Sequence, residues 1–216
     1  MATRYDPKGI ETECEPGSHG RVLRNRLGIT RIRDIQLAES QALQLVQREA
    51  INTFADDHCF TISDVCQLHR AWLNPIYDWA GEYRIVNVGK SGFQFASARL
   101  VPELMAAFGR QVLRRYTPCR PGSDAKVAQA LAVVHGELVL IHPFREGNGR
   151  LARLLALLMG LQAGLPPLDF SPLDGRGKRR YIAGIHAAMG NDYGLLTEMF
   201  VRVIDRTRTT ASSSTR

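Results

Sequence analysis

Two apolar runs separated by nine residues of turn chemistry constrain this 216-residue chain more than any other feature. Residues 128–141 read A-Q-A-L-A-V-V-H-G-E-L-V-L-I and residues 151–161 read L-A-R-L-L-A-L-L-M-G-L. Both are apolar on nearly every face, and a helix of that kind belongs in the centre of a domain. The residues between them, H-P-F-R-E-G-N-G-R at 142–150, therefore sit where one core helix hands over to another. Pro143 disfavours the α region for His142, so the first helix stops there. Phe144 reads as an apolar anchor that pins the turn into the core. A chain organised around such a pair is expected to be all-α in the main.

The remaining sequence fits a single domain with appendages. Helices are expected over 35–55, 63–72, 97–116, 124–141, 149–163, 178–189 and 195–206. Residues 83–88 alternate aromatic and β-branched residues with polar ones, residues 89–92 are turn chemistry, and F-Q-F follows, which together read as a short β-hairpin. Residues 1–28 are rich in glycine, proline and charge, so residues 1–34 read as an arm packed on a domain spanning 35–206. The turn-rich loop 166–177 is expected to be rigid. Residues 207–216 (T-R-T-T-A-S-S-S-T-R) offer no apolar face and read as a disordered tail. There is no internal repeat, no run near the ~18 apolar residues of a membrane span, and no signal-peptide core; the expected location is the cytoplasm.

Each residue of the turn has a physical use. His142, with a reference pKa of about 6.5, can act as a neutral base near pH 7. Glu146 is an oxygen ligand of the kind Mg²⁺ accepts alongside phosphate oxygens and water. Gly147, Asn148 and Gly149 present backbone N–H groups at a helix start, a natural anion site. Arg150 and Arg153 lie three apart on one helical face and can grip an oligophosphate through forked donors. A lone histidine after an apolar helix is ordinarily a hydrogen-bonded core residue, and His135 is read as one. The two arginines would pass as a solvated face, except that Leu151, Leu154, Leu155 and Leu158 make their helix a buried one. Buried guanidinium groups need an anionic partner, and a triphosphate would supply it.

These residues match, at every fixed position, the signature H-x-F-x-[D/E]-G-N-G-R-x-x-R, and the stretch resembles that of Fic (filamentation induced by cAMP) proteins. The resemblance implies a mostly helical Fic fold with a small β-hairpin flap, and transfer of AMP from ATP to a Tyr, Thr or Ser hydroxyl of a target protein with release of pyrophosphate. It implies His142 as general base, Glu146 as Mg²⁺ ligand, and Gly147, Asn148, Gly149, Arg150 and Arg153 as the ATP-phosphate cradle. The segment 76–95 (I-Y-D-W-A-G-E-Y-R-I-V-N-V-G-K-S-G-F-Q-F) resembles the Fic flap, which docks the target backbone as an added strand; Lys90 and Phe93 are its candidate target contacts. For adenine, Tyr181 and the turn Gly190-Asn191-Asp192-Tyr193 occupy suitable places. Many relatives carry an inhibitory [S/T]-x-x-x-E-[G/N] helix, and no glutamate of these 216 residues fits it. Family logic then points to inhibition in trans by a small antitoxin, or to none. Two other readings remain open: transfer of UMP or a phosphate by the same cradle, and a non-catalytic interaction module.

Other features count against competing functions. Cys14, Cys59, Cys66 and Cys119 have no C-x-x-C spacing, so neither a disulfide framework nor a common zinc pattern is indicated, even with His58 and His69 close by. Gly89-Lys90-Ser91 imitates a Walker A loop, but the position five before its glycine holds Arg84. The net charge of +7 is spread over several segments without a recognised nucleic-acid reader. It is better read as a basic surface that attracts ATP or an acidic protein.

Overall fold

The computed structural model describes residues 10–90, 93–120 and 122–214. Helices α1 (Ile32–Thr53), α2 (Ile62–Leu73), α3 (Val101–Ala107), α4 (Arg114–Tyr116), α5 (Asp124–Ile141), α6 (Asn148–Gln162), α7 (Lys178–Ala188) and α8 (Gly194–Ser214) follow in order, with strands β1 (Gly89–Lys90) and β2 (Phe93–Gln94) between α2 and α3. The fold is thus mostly helical with one small antiparallel hairpin, the class expected from the sequence.

Helix α5 is the axis of the molecule, packed on α6, α7 and α8. Ala128, Leu131, Ala132 and Leu138 are fully enclosed, and burying each leucine contributes roughly 1.5–3 kcal/mol. Helix α6 is nearly as deep, with Leu151, Leu155, Leu158 and Met159 in the same core. The turn between them is consequently held at both ends by the best-packed part of the protein. Helices α1 and α2 pair with one another and close over α6. Helix α2 starts from a capping box: Thr61 Oγ1 accepts the Asp64 N–H (3.2 Å) and the Asp64 carboxylate accepts the Thr61 N–H (2.8 Å). Such a cap satisfies donors the helix leaves open. Among the described residues no helix is long and apolar enough to cross a membrane.

The described part of the arm, from residue 10 on, contacts the domain. Arg26 N–H reaches the Ile76 carbonyl (2.8 Å) and its side chain meets Asp78 (2.6 Å). Near the start of the described chain, Glu11 accepts the Ile85 N–H (2.7 Å), and its own carbonyl accepts from Arg145 (2.9 Å). The arm therefore braces both the flap and the turn.

The structure departs from three expectations. The helix expected over 97–116 opens as a 3-10 turn at Ala98–Leu100 and passes through a π-helical stretch, Phe108–Leu113, before α4. The wider turn brings Phe108 and Leu113, five apart, to the same core. The hairpin is shorter than its sequence pattern: its strands pair Gly89 with Gln94 and Lys90 with Phe93, one further bond runs from Phe95 N–H to Val88 O (3.2 Å), and Ser91 and Gly92 lie outside the described residues. The alternation at 83–88 does not become a strand: the Arg84 N–H goes to Pro143 O (2.9 Å), the Ile85 N–H to the Glu11 carboxylate (2.7 Å), and the Val86 carbonyl to the Arg84 side chain (2.7 Å). Finally, the tail expected at 207–216 continues α8 as far as Ser214. Thr207 is buried and accepts the Asp169 N–H (2.9 Å), and Arg208 meets Asp124 (2.8 Å). These anchors extend a helix that the segment's composition alone would not nucleate.

Candidate active site

His142 caps α5 in the left-handed conformation, φ 51° and ψ 58°, a region uncommon for any residue but glycine. Its Nδ1 lies 3.0 Å from the Val139 carbonyl. A carbonyl only accepts, so Nδ1 carries the proton and Nε2 keeps a free lone pair. The ring stacks on Phe95 at 3.6 Å between centroids. Burial lowers its pKa to about 4, outweighing the Val139 bond and Glu146, with Arg84 and Lys90 pushing the same way as burial. At neutral pH the group is an uncharged imidazole with one open nitrogen.

The turn is a closed loop. Buried Asn148 accepts the Phe144 N–H (2.9 Å) through Oδ1 and donates to the Phe144 carbonyl (2.8 Å) through Nδ2. Its side chain is thus a clamp, leaving the backbone N–H for any ligand. Phe144 is fully buried and stacks on His69 at 3.8 Å. His69 in turn holds the Glu146 carbonyl (3.1 Å) through Nε2 and accepts the Gly81 N–H (2.8 Å). Gly147 has φ +84°, and a Cβ there would lie 2.7 Å from the Trp72 ring, whereas a Cβ on Gly149 would meet nothing within 4 Å. The first glycine is required by the backbone; the second leaves clear space above the helix start, where first-turn N–H groups have no intrahelical partner. Gly147→Ala is expected to destabilise the protein by about 3 kcal/mol through combined backbone strain and overpacking, read as a lower urea midpoint.

The two arginines do not wait for an external anion, contrary to the expectation from sequence. Arg150 meets Glu39 of α1 (2.8 Å), lies 3.5 Å from Glu146, and stacks 4.7 Å over the Trp72 ring. Glu39 is 4% exposed and also accepts from the Tyr77 hydroxyl (2.6 Å). Arg153 forms a two-pronged pair with Asp174 (2.9 and 2.8 Å), and that guanidinium holds the Asp174 carboxyl below the usual range. Both pairs reflect the cost of leaving a half-buried guanidinium uncompensated. They differ in permanence: Glu39 is enclosed, while the Asp174 side chain is 58% exposed and easily displaced.

Of the residues expected from the sequence, His142, Glu146, Gly147, Asn148, Gly149, Arg150, Arg153, Tyr181, Lys90 and Phe93 line one pocket of about 440 Å³. The turn Gly190-Asn191-Asp192-Tyr193, expected on the adenine side, is not part of its lining, and the Tyr193 hydroxyl donates to Glu137 instead. His142 and Glu146 form its floor with the glycine turn, Arg150 and Arg153 one flank, and Lys90 and Phe93 the flap side. Glu146 is half-exposed there, with one carboxylate oxygen on the Gly147 N–H (2.8 Å). Tyr181 also lines the pocket, but its hydroxyl turns inward to His135 (2.9 Å). Phe93 stacks on His186 of α7 at 4.6 Å, so flap and α7 form a continuous aromatic wall. Sequence reasoning missed Glu39, His69, Arg84, Phe95, Asp174 and His186. For Glu39 a signal existed, because it stands on the buried stripe Ile35–Glu39–Val46–Ala50 of α1. Asp174 has no such signal and reads as an ordinary turn residue.

The geometry agrees with comparisons to known proteins. Residues 59–159 match the model of the Fic/DOC family. The chain is 28% identical over 191 residues to the probable protein adenylyltransferase y4lH of Sinorhizobium fredii, covering 88% of this chain and 94% of that protein. It is 28% identical over 144 residues to the protein adenylyltransferase VbhT of Bartonella schoenbuchensis, covering 66% of this chain but 30% of that longer protein. The crystal structure of BepC from Bartonella tribocorum, with bound AMPPNP, superposes with a TM-score of 0.71 at 19% identity, covering 91% of this chain and 98% of that one. The turn of this composition, built between two core helices beside a small flap, falls inside the matched stretch, and residues 59–159 form a domain of the Fic/DOC family.

Proposed function

We propose that this protein is a protein adenylyltransferase that moves AMP from ATP to a Tyr, Thr or Ser hydroxyl of another protein. The observation that carries the reading is the His142 tautomer: Nδ1–H spent on Val139, Nε2 open in a pocket flanked by two arginines. The relatives named as adenylyltransferases support the same chemistry.

In this scheme the ATP phosphates lie over the Gly147–Asn148–Gly149 helix start, and Arg150 and Arg153 hold the outer phosphates. His142 Nε2 takes the proton of the target hydroxyl. The freed oxygen bonds to the α-phosphorus, the bond from that phosphorus to the bridging oxygen breaks, and pyrophosphate leaves. Catalysis is then positioning plus charge stabilisation. Mg²⁺ would be held by Glu146 together with phosphates and water. Bound there, the ion would neutralise charge on the phosphate oxygens. The edge of the β1–β2 hairpin, with Lys90 and Phe93, would take the target backbone as an added strand. Tyr181 contributes its ring to the base side of the pocket.

Incubation of the protein with a cell lysate and either α-labelled or γ-labelled ATP tests the proposal. Label transferred from the α position alone is the expected result. Transfer from the γ position would make the enzyme a kinase, and α-labelled UTP in preference to ATP would change the nucleotide. Asp174 gives a second check, because it and the outer phosphates compete for one guanidinium. Asp174→Asn is expected to tighten ATP binding about threefold to tenfold, measured by calorimetry.

Because none of these residues forms the inhibitory glutamate motif, restraint of the activity would come from a separate small protein, as in a toxin–antitoxin pair, or be absent. The chain alone should then be active. A reaction that consumes ATP, on a chain whose cysteines are unpaired, belongs in the cytoplasm.

A further inference from the structure

Arg84 is 2% exposed and has no carboxylate within ion-pair distance among the described residues. Carbonyl oxygens answer its charge instead. Nε donates to His142 O (2.6 Å), Nη1 to Val86 O (2.7 Å), and Nη2 to Ala96 O (2.5 Å) and Ile141 O (3.3 Å). Its own backbone N–H donates to Pro143 O (2.9 Å). The Ile141 and His142 carbonyls close α5, where a helix leaves acceptors unfilled and presents the negative end of its dipole. Val86 and Ala96 lie on opposite arms of the flap. Next to Ala96, Phe95 stacks on the His142 ring, and its N–H reaches Val88 O (3.2 Å) across the hairpin.

We propose that Arg84 is a positioning residue for the transfer: one guanidinium ties both arms of the flap to the helix end that carries His142, so a docked hydroxyl and the base keep one separation. The role in transfer rests on the reading of His142 as base and of the flap as target dock; the mechanical joint does not. Lysine cannot reproduce it, since a single ammonium cannot span four acceptors laid out around a planar fork. Arg84 also faces the His142 ring electrostatically, together with Lys90 of the flap and Glu146 of the turn. A change of charge at position 84 is therefore expected to be felt at that ring as well, and it reports how near the guanidinium stays to His142.

The test uses the whole chain with Arg84→Lys and Arg84→Gln, without target or nucleotide. Amide exchange is followed by mass spectrometry, and the His142 ring is titrated by NMR, its signal assigned by loss in His142→Asn. In both variants exchange at residues 86–90 and 93–96 is expected to quicken about tenfold while α5 and α6 keep wild-type protection. The His142 titration is expected to move up by about half a pH unit in Arg84→Gln and to stay in place in Arg84→Lys, which retains the charge. Wild-type flap exchange in a folded Arg84→Lys overturns the proposal, as does an unmoved ring titration in a folded Arg84→Gln. Should Arg84→Gln not fold, exchange in Arg84→Lys decides alone. A loosened flap in a protein whose wild type transfers no α-label would keep the joint and remove the transfer reading.

Discussion

His142→Ala is expected to reduce adenylate transfer by a factor of about 10³, within the range that a positioned base contributes, while leaving ATP affinity near that of the wild type. The separation follows from the pocket. In the proposed scheme the imidazole would meet the target hydroxyl through Nε2, whereas the phosphates would have their own donors in the turn and the two arginines, all of which line the same pocket. Alanine at a left-handed φ of 51° also strains the backbone, so His142→Asn is the matched control, since asparagine tolerates that conformation. Both variants should fall alike in α-label transfer and bind ATP alike by calorimetry. Loss of ATP binding in His142→Asn would mean that the ring holds nucleotide rather than a proton.

Acidification is expected to destabilise the protein steeply between pH 6.5 and about 4. Burial lowers the pKa of His69, His135 and His142 to about 4 each, against an ordinary value of 6.5. The unfolded chain therefore takes up protons that the native state refuses. Each group contributes stability that is complete above pH 6.5 and is lost as pH falls, at about 1.4 kcal/mol per pH unit. Together they remove about 5 kcal/mol between pH 7 and pH 5, comparable with the whole stability of many domains. Urea midpoints at pH 7, 6 and 5 measure this directly. His69→Gln, which keeps a donor for the Glu146 carbonyl, should lower stability at pH 7 but flatten the slope by about a third. An unchanged slope would mean that His69 is protonated in the fold.

These two effects share one origin. The turn at 142–150 is set among buried, neutral imidazoles, so its packing and its acid sensitivity come from the same burial. His69 links them: it stacks on Phe144 and holds the Glu146 carbonyl, joining α2 to the turn. The aromatic wall from His142 through Phe95 and Phe93 to His186 extends that packing to the flap and α7.

Much of this architecture is legible in the sequence, because its signals are local. An all-round apolar period marks α5 and α6 as core, Pro143 stops the first of them, and glycine at 147 is the residue a left-handed turn demands. The tail escapes such reading for the same reason: residues 207–214 carry no apolar stripe of their own, and their helix depends on Asp169 and Asp124, far away in sequence. The alternation at 83–88 suggests that Ile85 is buried and Arg84 exposed; the structure buries Arg84 and leaves Ile85 61% exposed. No local pattern tells that four carbonyls from three separate segments will converge on one guanidinium.

What the sequence alone determined is which chemistry sits at the turn: a histidine, a carboxylate, glycines and two arginines, at spacings dictated by helix geometry. Tertiary structure alone decided who holds them, since Glu39, Asp174, Arg84 and Phe95 reach the turn only across folded contacts. The physical reason is range: backbone preference and periodicity act over a few residues, whereas compensation of a buried charge is settled by whichever acceptors or carboxylates packing brings within about 3 Å.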